Sequence, residues 1–268
     1  MRSSVGSAWV SNMHYVDTHA HIFDEAFKDD FEGVVDRAVQ AHVDRMLIIC
    51  LNHEDTMRSI DFCQRDSYRY KTACAVFPED VGELTDEKWN QFLKDAELKE
   101  VSVLGEMGLD YHWEKDPGIR KRQREVFTAQ MDLAKKLDKP VAVHSRDAMQ
   151  DTFDIMNAHH HKGLLHCFSG TKEMAKEFNK LGYYIALGGA LTFKNARHAV
   201  EVASAIDEKY LLTETDCPYM APEPVRGTRN EPSNIPYILR KMAEVRGVSE
   251  EHMADTVYAN YERFLNGE

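Results

Sequence analysis

Apolar and polar residues alternate through Tyr15-Val-Asp-Thr-His-Ala-His-Ile22, and a period of two predicts a buried strand. Strand-like apolar runs recur at 45–50, 70–77, 101–106, 140–144, 163–168, 183–187 and 210–216, eight in all with the first. Between them, apolar residues return at helical spacing over 31–41, 55–63, 86–96, 120–137, 147–158, 173–181 and 196–206, then twice more over 236–246 and 250–265. In 120–137, for example, Val126, Phe127, Met131 and Ala134 form one stripe. Strands that alternate with helices predict a parallel sheet. An open doubly wound sheet carries a Gly-rich phosphate loop after its first strand, whereas this chain has His-Ala-His followed by Ile-Phe-Asp-Glu. The expected fold is therefore α/β, a (β/α)8 TIM-type barrel over 15–268, preceded by a Ser-rich irregular leader over 1–14. Pro222, Pro224, Gly227 and Pro232 mark a long loop before the last two helices.

Charge and cysteine content narrow the function. With 33 Lys and Arg against 45 Asp and Glu, the 268-residue chain carries a formal charge of −12 and lacks the basic signature of a general nucleic-acid binder. A polyanionic partner would need a local patch or bound cations. The five cysteines are odd in number and include no CxxC pair, which suits a reducing cytosol. No run of 18 apolar residues predicts a membrane span. No helix is apolar all round, which points to a monomer without an obligate protein partner.

On the first strand, Asp17, His19 and His21 point to one face, and two imidazoles two residues apart make a pincer for a metal ion. A pair of core histidines satisfied by hydrogen bonds is the bland alternative. In a barrel, chemistry sits at the C-terminal strand ends. There the same parity argument places Glu106, His144, His166, Glu214 and Asp216. Four histidines with two carboxylates exceed one four-coordinate ion and suit two divalent ions, with Glu106 as the bridge.

The combination of Asp17-Thr-His-Ala-His21, Gly105-Glu-Met-Gly-Leu-Asp-Tyr111, Val143-His-Ser-Arg-Asp-Ala148, His166-Cys-Phe-Ser-Gly170, Leu211-Leu-Thr-Glu-Thr-Asp-Cys-Pro-Tyr219 and the Arg226–Pro232 stretch resembles the TatD family of metal-dependent deoxyribonucleases. The resemblance runs from about Tyr15 to Leu265. It implies an amidohydrolase-type barrel that hydrolyses DNA phosphodiesters, often as a 3′→5′ exonuclease on single strands. It further implies one metal on His19, His21, Glu106 and Asp216 and a second on Glu106, His144 and His166. Imidazole ligation leans toward Zn or Mn, and the resemblance leaves Mg open. The expected nucleophile is a hydroxide bridging the two ions, with Asp216 taking its proton.

Other residues carry two readings each. Glu214, one layer deeper than Asp216, either joins the catalytic set by orienting a ligand or water, or sits in a buried ion pair, and Asp17 poses the same choice. Arg146 could hold a phosphate or form a structural salt bridge. Asn230 and Glu231 could touch a sugar or terminal phosphate, or only shape a turn. Phe168, with Phe23, Tyr111, Trp113 and Tyr219, follows a strand end and could stack on unpaired bases or pack a loop. Arg120–Arg124 is a phosphate-attracting patch or a solvated helix face, and His159-His-His161 reads as a surface tract at the wrong end of the barrel. Cys167 and Cys217 have the parity of helix-facing, inert thiols. Two rival functions are a two-metal hydrolase of C–N or lactone bonds and a non-catalytic barrel that binds metal or a partner.

Overall fold

The computed structural model describes residues 13–267, so all but the last two positions of the expected leader lie outside the described residues. Eight parallel strands pair in chain order: β1 (Tyr15–Ala20), β2 (Val43–Cys50), β3 (Tyr70–Cys74), β4 (Val101–Asp110), β5 (Val141–Arg146), β6 (Gly163–Leu165), β7 (Tyr184–Leu187) and β8 (Leu211–Thr213). The last strand returns to the first through an isolated bridge, Ala20 to Cys217. Threonines help close that seam: the Thr18 hydroxyl donates to the Thr213 carbonyl at 3.0 Å, and the Thr213 hydroxyl donates to the Val16 carbonyl at 2.7 Å. This is the nearly closed barrel that the alternation of strands and helices predicts.

The helices are α1 (Phe31–Gln40), α2 (His53–Cys63), α3 (Asp86–Glu97), α4 (Pro117–Leu137), α5 (Met149–His159), α6 (Lys172–Lys180), α7 (Arg197–Ala205), α8 (Ile235–Arg246) and α9 (Glu250–Asn266). Their starts follow capping chemistry. Asn52, Thr85, Asp116, Thr171 and Ser249 each accept a hydrogen bond from a first-turn backbone N–H. One apolar stripe on each long helix is driven against the strands: Phe127 and Met131 of α4, Phe178 of α6, Leu239 and Met242 of α8, and Val257 and Phe264 of α9 are all buried. No helix among the described residues is long and apolar enough to cross a membrane.

Three strand ends depart from simple alternation, and all three matter for the site. β4 continues four residues past Glu106 and carries a register shift between Gly105 and Met107, so Glu106 is the extra residue of a bulge. β6 stops before His166, and β8 stops before Glu214. Beyond those ends Cys167 and Asp216 take positive φ, 43° and 56°, which re-aims the chain away from a period of two. Gly108 has φ +142°, and a Cβ there would come within 2.0 Å of the His144 carbonyl oxygen. Only glycine lets β4 run this close to β5.

Candidate metal centre

Every sequence-predicted metal ligand arrives at one point on the C-terminal rim. His19 Nε2 lies 3.1 Å from His21 Nε2 and 3.2 Å from Glu106 Oε2. Asp216 Oδ1 stands 3.7 Å from His19 Nε2 and 3.6 Å from His21 Nε2. The other Glu106 oxygen, Oε1, is 3.0 Å from His144 Nδ1 and 2.8 Å from His166 Nε2, and those two nitrogens are 3.1 Å apart. Glu106 thus offers one oxygen to each of two histidine-rich groups. The His19 and His166 rings stack across the divide, centroids 3.8 Å apart and nearly parallel.

The spacing fits cations. Donor atoms around a tetrahedral ion with bonds of about 2.0–2.1 Å stand about 3.3 Å from one another. The first group spans 3.1–3.7 Å and the second is slightly tighter. Imidazole nitrogens and carboxylates also form a donor set suited to divalent transition metals. Without cations, protons hold the acids together. Burial works against charge on Glu106, but the His166 and His19 imidazoles, with hydrogen bonds from His144 and His166, keep its carboxyl well below the usual range. Burial likewise opposes charge on His21, and bonds to Asp216 and Glu106 outweigh it, raising the imidazole to about 9. His144 is raised against burial by Asp110 and Glu106, and His166 by the Glu106 and Glu214 charges.

Asp110 is the residue that sequence reasoning missed. Its Oδ2 lies 3.0 Å from His144 Nε2, a position that would hold the N–H on that side and leave Nδ1 to ligate a cation beside Glu106. Asp110 Oδ1 accepts from the backbone of His112 and Trp113, which fixes the carboxylate. Phe77 packs edge-on against the same imidazole at 5.3 Å.

These residues correspond to a known family. The description "TatD related DNase" matches the chain over residues 16–266. The chain belongs to the TatD family. "Uncharacterized metal-dependent hydrolase YabD" of Bacillus subtilis is 36% identical over 252 residues, covering 93% of this chain and 98% of the relative. "Uncharacterized metal-dependent hydrolase YcfH" of Escherichia coli K12 is 32% identical over 261 residues, covering 95% and 96%. The crystal structure of YJJV, a TatD homolog from Escherichia coli, superposes with a TM-score of 0.86 at 27% identity, covering 94% of this chain and 98% of that one. The TatD relatives thus place the chain among metal-dependent hydrolases, and its histidine-carboxylate cluster is able to hold metal.

The other predicted residues of this TatD chain divide sharply. Glu214 is fully buried behind the imidazoles: Oε1 accepts from the Cys167 backbone N–H at 2.6 Å and stands 3.6 Å from His166 Nδ1. It lies beneath the rim, beside the His166 ring without a hydrogen bond to it. Asp17 accepts from the His19 N–H and from both the N–H and hydroxyl of Thr215, which ties the strand bearing His19 to the segment bearing Asp216. Arg146 is exposed at the end of β5, 5.5 Å over the Trp113 ring, and pairs with no carboxylate among the described residues.

Two substrate-contact expectations need correcting. Phe168 is buried against Phe178, its ring drawn into the apolar layer between strands and helices, so it is unavailable for stacking. Asn230 is also fully buried, donating to the carbonyls of Thr215 and Tyr219 at 2.9 and 2.7 Å, so it clamps the Asp216 segment from below. Glu231 beside it is taken up by Arg37. Arg120, Arg122 and Arg124 are tied to backbone carbonyls and the Tyr111 hydroxyl. Cys167 was expected to face the helices. Burial, together with the Glu214 and Asp216 charges, pushes its thiol up to about 12. Cys217 is buried beside Asp17 and Thr215 and is raised as well, so both thiols stay protonated.

Proposed function

We propose that this TatD-family hydrolase cleaves phosphodiester bonds of DNA, acting as a 3′→5′ exonuclease on single strands with two divalent cations of the Zn, Mn or Mg type. The observation that carries this is the split of Glu106, whose two oxygens face two separate histidine pairs on one rim. His19, His21, Glu106 and Asp216 would hold one ion, and Glu106, His144 and His166 the other. When bound, such a pair supplies Lewis acidity toward the phosphoryl oxygens and a water-derived nucleophile ionised near neutral pH.

The chain's own groups do the rest. Asp216 turns Oδ1 toward the two histidines, while its Oδ2 forms no hydrogen bond among the described residues and is free to take a proton. Asp110 fixes the tautomer of His144, and Glu214, 3.6 Å behind His166, adds negative charge that favours its imidazolium. Arg146, unpaired at the rim, anchors a substrate phosphate. In a chain of charge −12, such local cations are what admit a polyanion.

The test is digestion of end-labelled single- and double-stranded DNA, and matching RNA, with each metal in turn, wild type beside Glu106→Ala. Expected is a ladder shortening from the 3′ end, faster on single strands and abolished in the variant. An enzyme inert on every oligonucleotide but active on amides or lactones would overturn the proposal in favour of C–N or lactone hydrolysis.

A further inference from the structure

We propose that Trp113 and Tyr219 are two base-stacking platforms that bracket the scissile phosphate, so that the site grips an unpaired strand by the nucleobase on each side of the bond it cuts. This rests on the nuclease function proposed above and deepens it.

Exposed large apolar side chains are scarce here: among the described residues they are Val39, Tyr68, Trp113, Tyr219 and Met220. Tyr68 lies under the Arg45 guanidinium, 3.0 Å from its ring centroid, so its face is taken. Three of the remaining four stand in the segments that follow β4 and β8, both on the rim of the metal centre. Trp113 is 64% and Tyr219 57% exposed, values a packed loop aromatic would not show.

Their placement is specific. In a ring of eight strands paired in order, β4 and β8 are diametrically opposed. Each aromatic is also hinged on a different half of the cluster. The Trp113 backbone N–H donates to Asp110 Oδ1 at 3.0 Å, and the other oxygen of Asp110 holds His144. The Tyr219 backbone N–H donates to the Asp216 carbonyl at 2.9 Å, and Asp216 faces His19 and His21.

Both platforms are held in place. Asn230 donates to the Tyr219 carbonyl at 2.7 Å, and the Tyr219 hydroxyl donates to Asp24 Oδ2 at 3.3 Å. Trp113 has the His112 ring edge-on at 4.7 Å and the Arg146 guanidinium at 5.5 Å. Rigid aromatic faces lose little entropy on binding. A base on Trp113 would also carry its phosphate to Arg146. Bases inside a duplex already stack on one another, so these faces select a strand whose bases are free.

The test is a cycle between protein ring and nucleobase, using metal-loaded wild type, Trp113→Ala and Tyr219→Ala. The substrates are single-stranded oligonucleotides that are intact, abasic on one side of the cleaved bond, abasic on the other, or abasic on both. Wild type should lose about five- to a hundredfold in kcat/KM for each missing base. Each alanine variant should lose as much on the intact strand yet ignore one abasic position, a different one for each variant. Both should match wild type within about twofold on the doubly abasic strand, and Tyr219→Phe, which keeps the ring but loses the bond to Asp24, should stay sensitive to the abasic position that Tyr219→Ala ignores. If both variants remain sensitive to both abasic positions, or fall below wild type on the doubly abasic strand, the platforms are overturned while the nuclease stands. If wild type cuts no oligonucleotide, the proposed function itself is lost.

Discussion

His19 with His21 and His159 with His160 and His161 look alike as metal tracts, and the molecule uses them in opposite ways. At the C-terminal rim, His19 and His21 turn ring nitrogens inward onto Glu106 and Asp216. At the end of α5, His159 Nδ1 lies 2.6 Å from the Ile155 carbonyl and His161 Nε2 2.7 Å from the Lys139 carbonyl, while His160 takes φ +46° to cap the helix. Rings that donate to backbone carbonyls point apart and leave nothing to converge on a cation. Arginines repeat the contrast. Arg45, near the start of β2, is buried between the Tyr68 and Tyr258 rings with Glu262 at 2.6 Å, whereas Arg146, at the end of β5, is exposed and unpaired. Arg45 is thus engaged by groups of the chain itself, whereas Arg146 presents its charge at the rim.

The largest expected effect breaks the C-terminal cluster at its centre. Glu106→Gln keeps the shape but removes the anion that faces both histidine pairs. Bound metal should fall from two ions per chain to one or fewer, and hydrolysis should drop by about a thousandfold. Metal analysis after gel filtration, beside rate measurements, checks this. Two ions retained in full would mean that Glu106 does not bridge them.

Acidity distinguishes the two ends next. In the ion-free protein, His21 stands at about 9 against an ordinary 6.5, so its stabilisation is complete below pH 6.5 and is lost as pH rises through 9. Burial raises Asp17 from 3.8 to about 7, so its contribution is complete below 3.8 and lost as pH rises through 7. Cations need neutral imidazoles and bind more tightly as those protons leave. Melting curves with chelator and with added Zn should therefore diverge between pH 6.5 and 9, the gap widening by roughly 5 °C or more. His21→Gln should flatten the chelator curve. A gap constant with pH would place the ions elsewhere.

A smaller effect falls on Asp110. Its loss in Asp110→Ala should weaken metal affinity about 10- to 100-fold, measured by competition with a chelator, because His144 no longer has a fixed tautomer. Asp110→Asn should do at least as much harm, since an amide that donates to Nε2 would drive the proton onto Nδ1, the nitrogen facing the site. Unchanged affinity would restrict Asp110 to holding the turn at His112 and Trp113.

Much of this was legible in the chain, for uneven reasons. The strand-helix rhythm reports burial directly, so the barrel and the face shared by His19 and Asp17 follow from it. Glu106 and Asp216 reach the rim as parity predicts, but through a bulge and a left-handed residue that parity does not contain. Asp110 stayed hidden because Gly105 and Gly108 look like the end of a strand, whereas β4 runs on through both and carries Asp110 to His144. The side chains of Phe168 and Asn230 were beyond reach, because an aromatic or amide after a strand end can turn to solvent or inward, and only packing decides. Phe178 and the carbonyls of Thr215 and Tyr219 made that decision.

The smallest expected effects belong to the far end, and they test the contrast most directly. If His159, His160 and His161 serve the backbone, replacing them should leave metal content and hydrolysis as they are and move only stability. His161→Ala removes the bond to the Lys139 carbonyl and should cost about 1 kcal/mol in denaturant unfolding. His160→Gly should be neutral or stabilising by a few tenths of a kcal/mol: at φ +46° a side chain is strained, and glycine relieves that strain while adding freedom to the unfolded chain. Only one of two neighbouring histidines would then cost stability, with no change in bound metal, a pattern a metal-binding tract would not give. A fall in metal content on replacing the run would erase the distinction between the two ends.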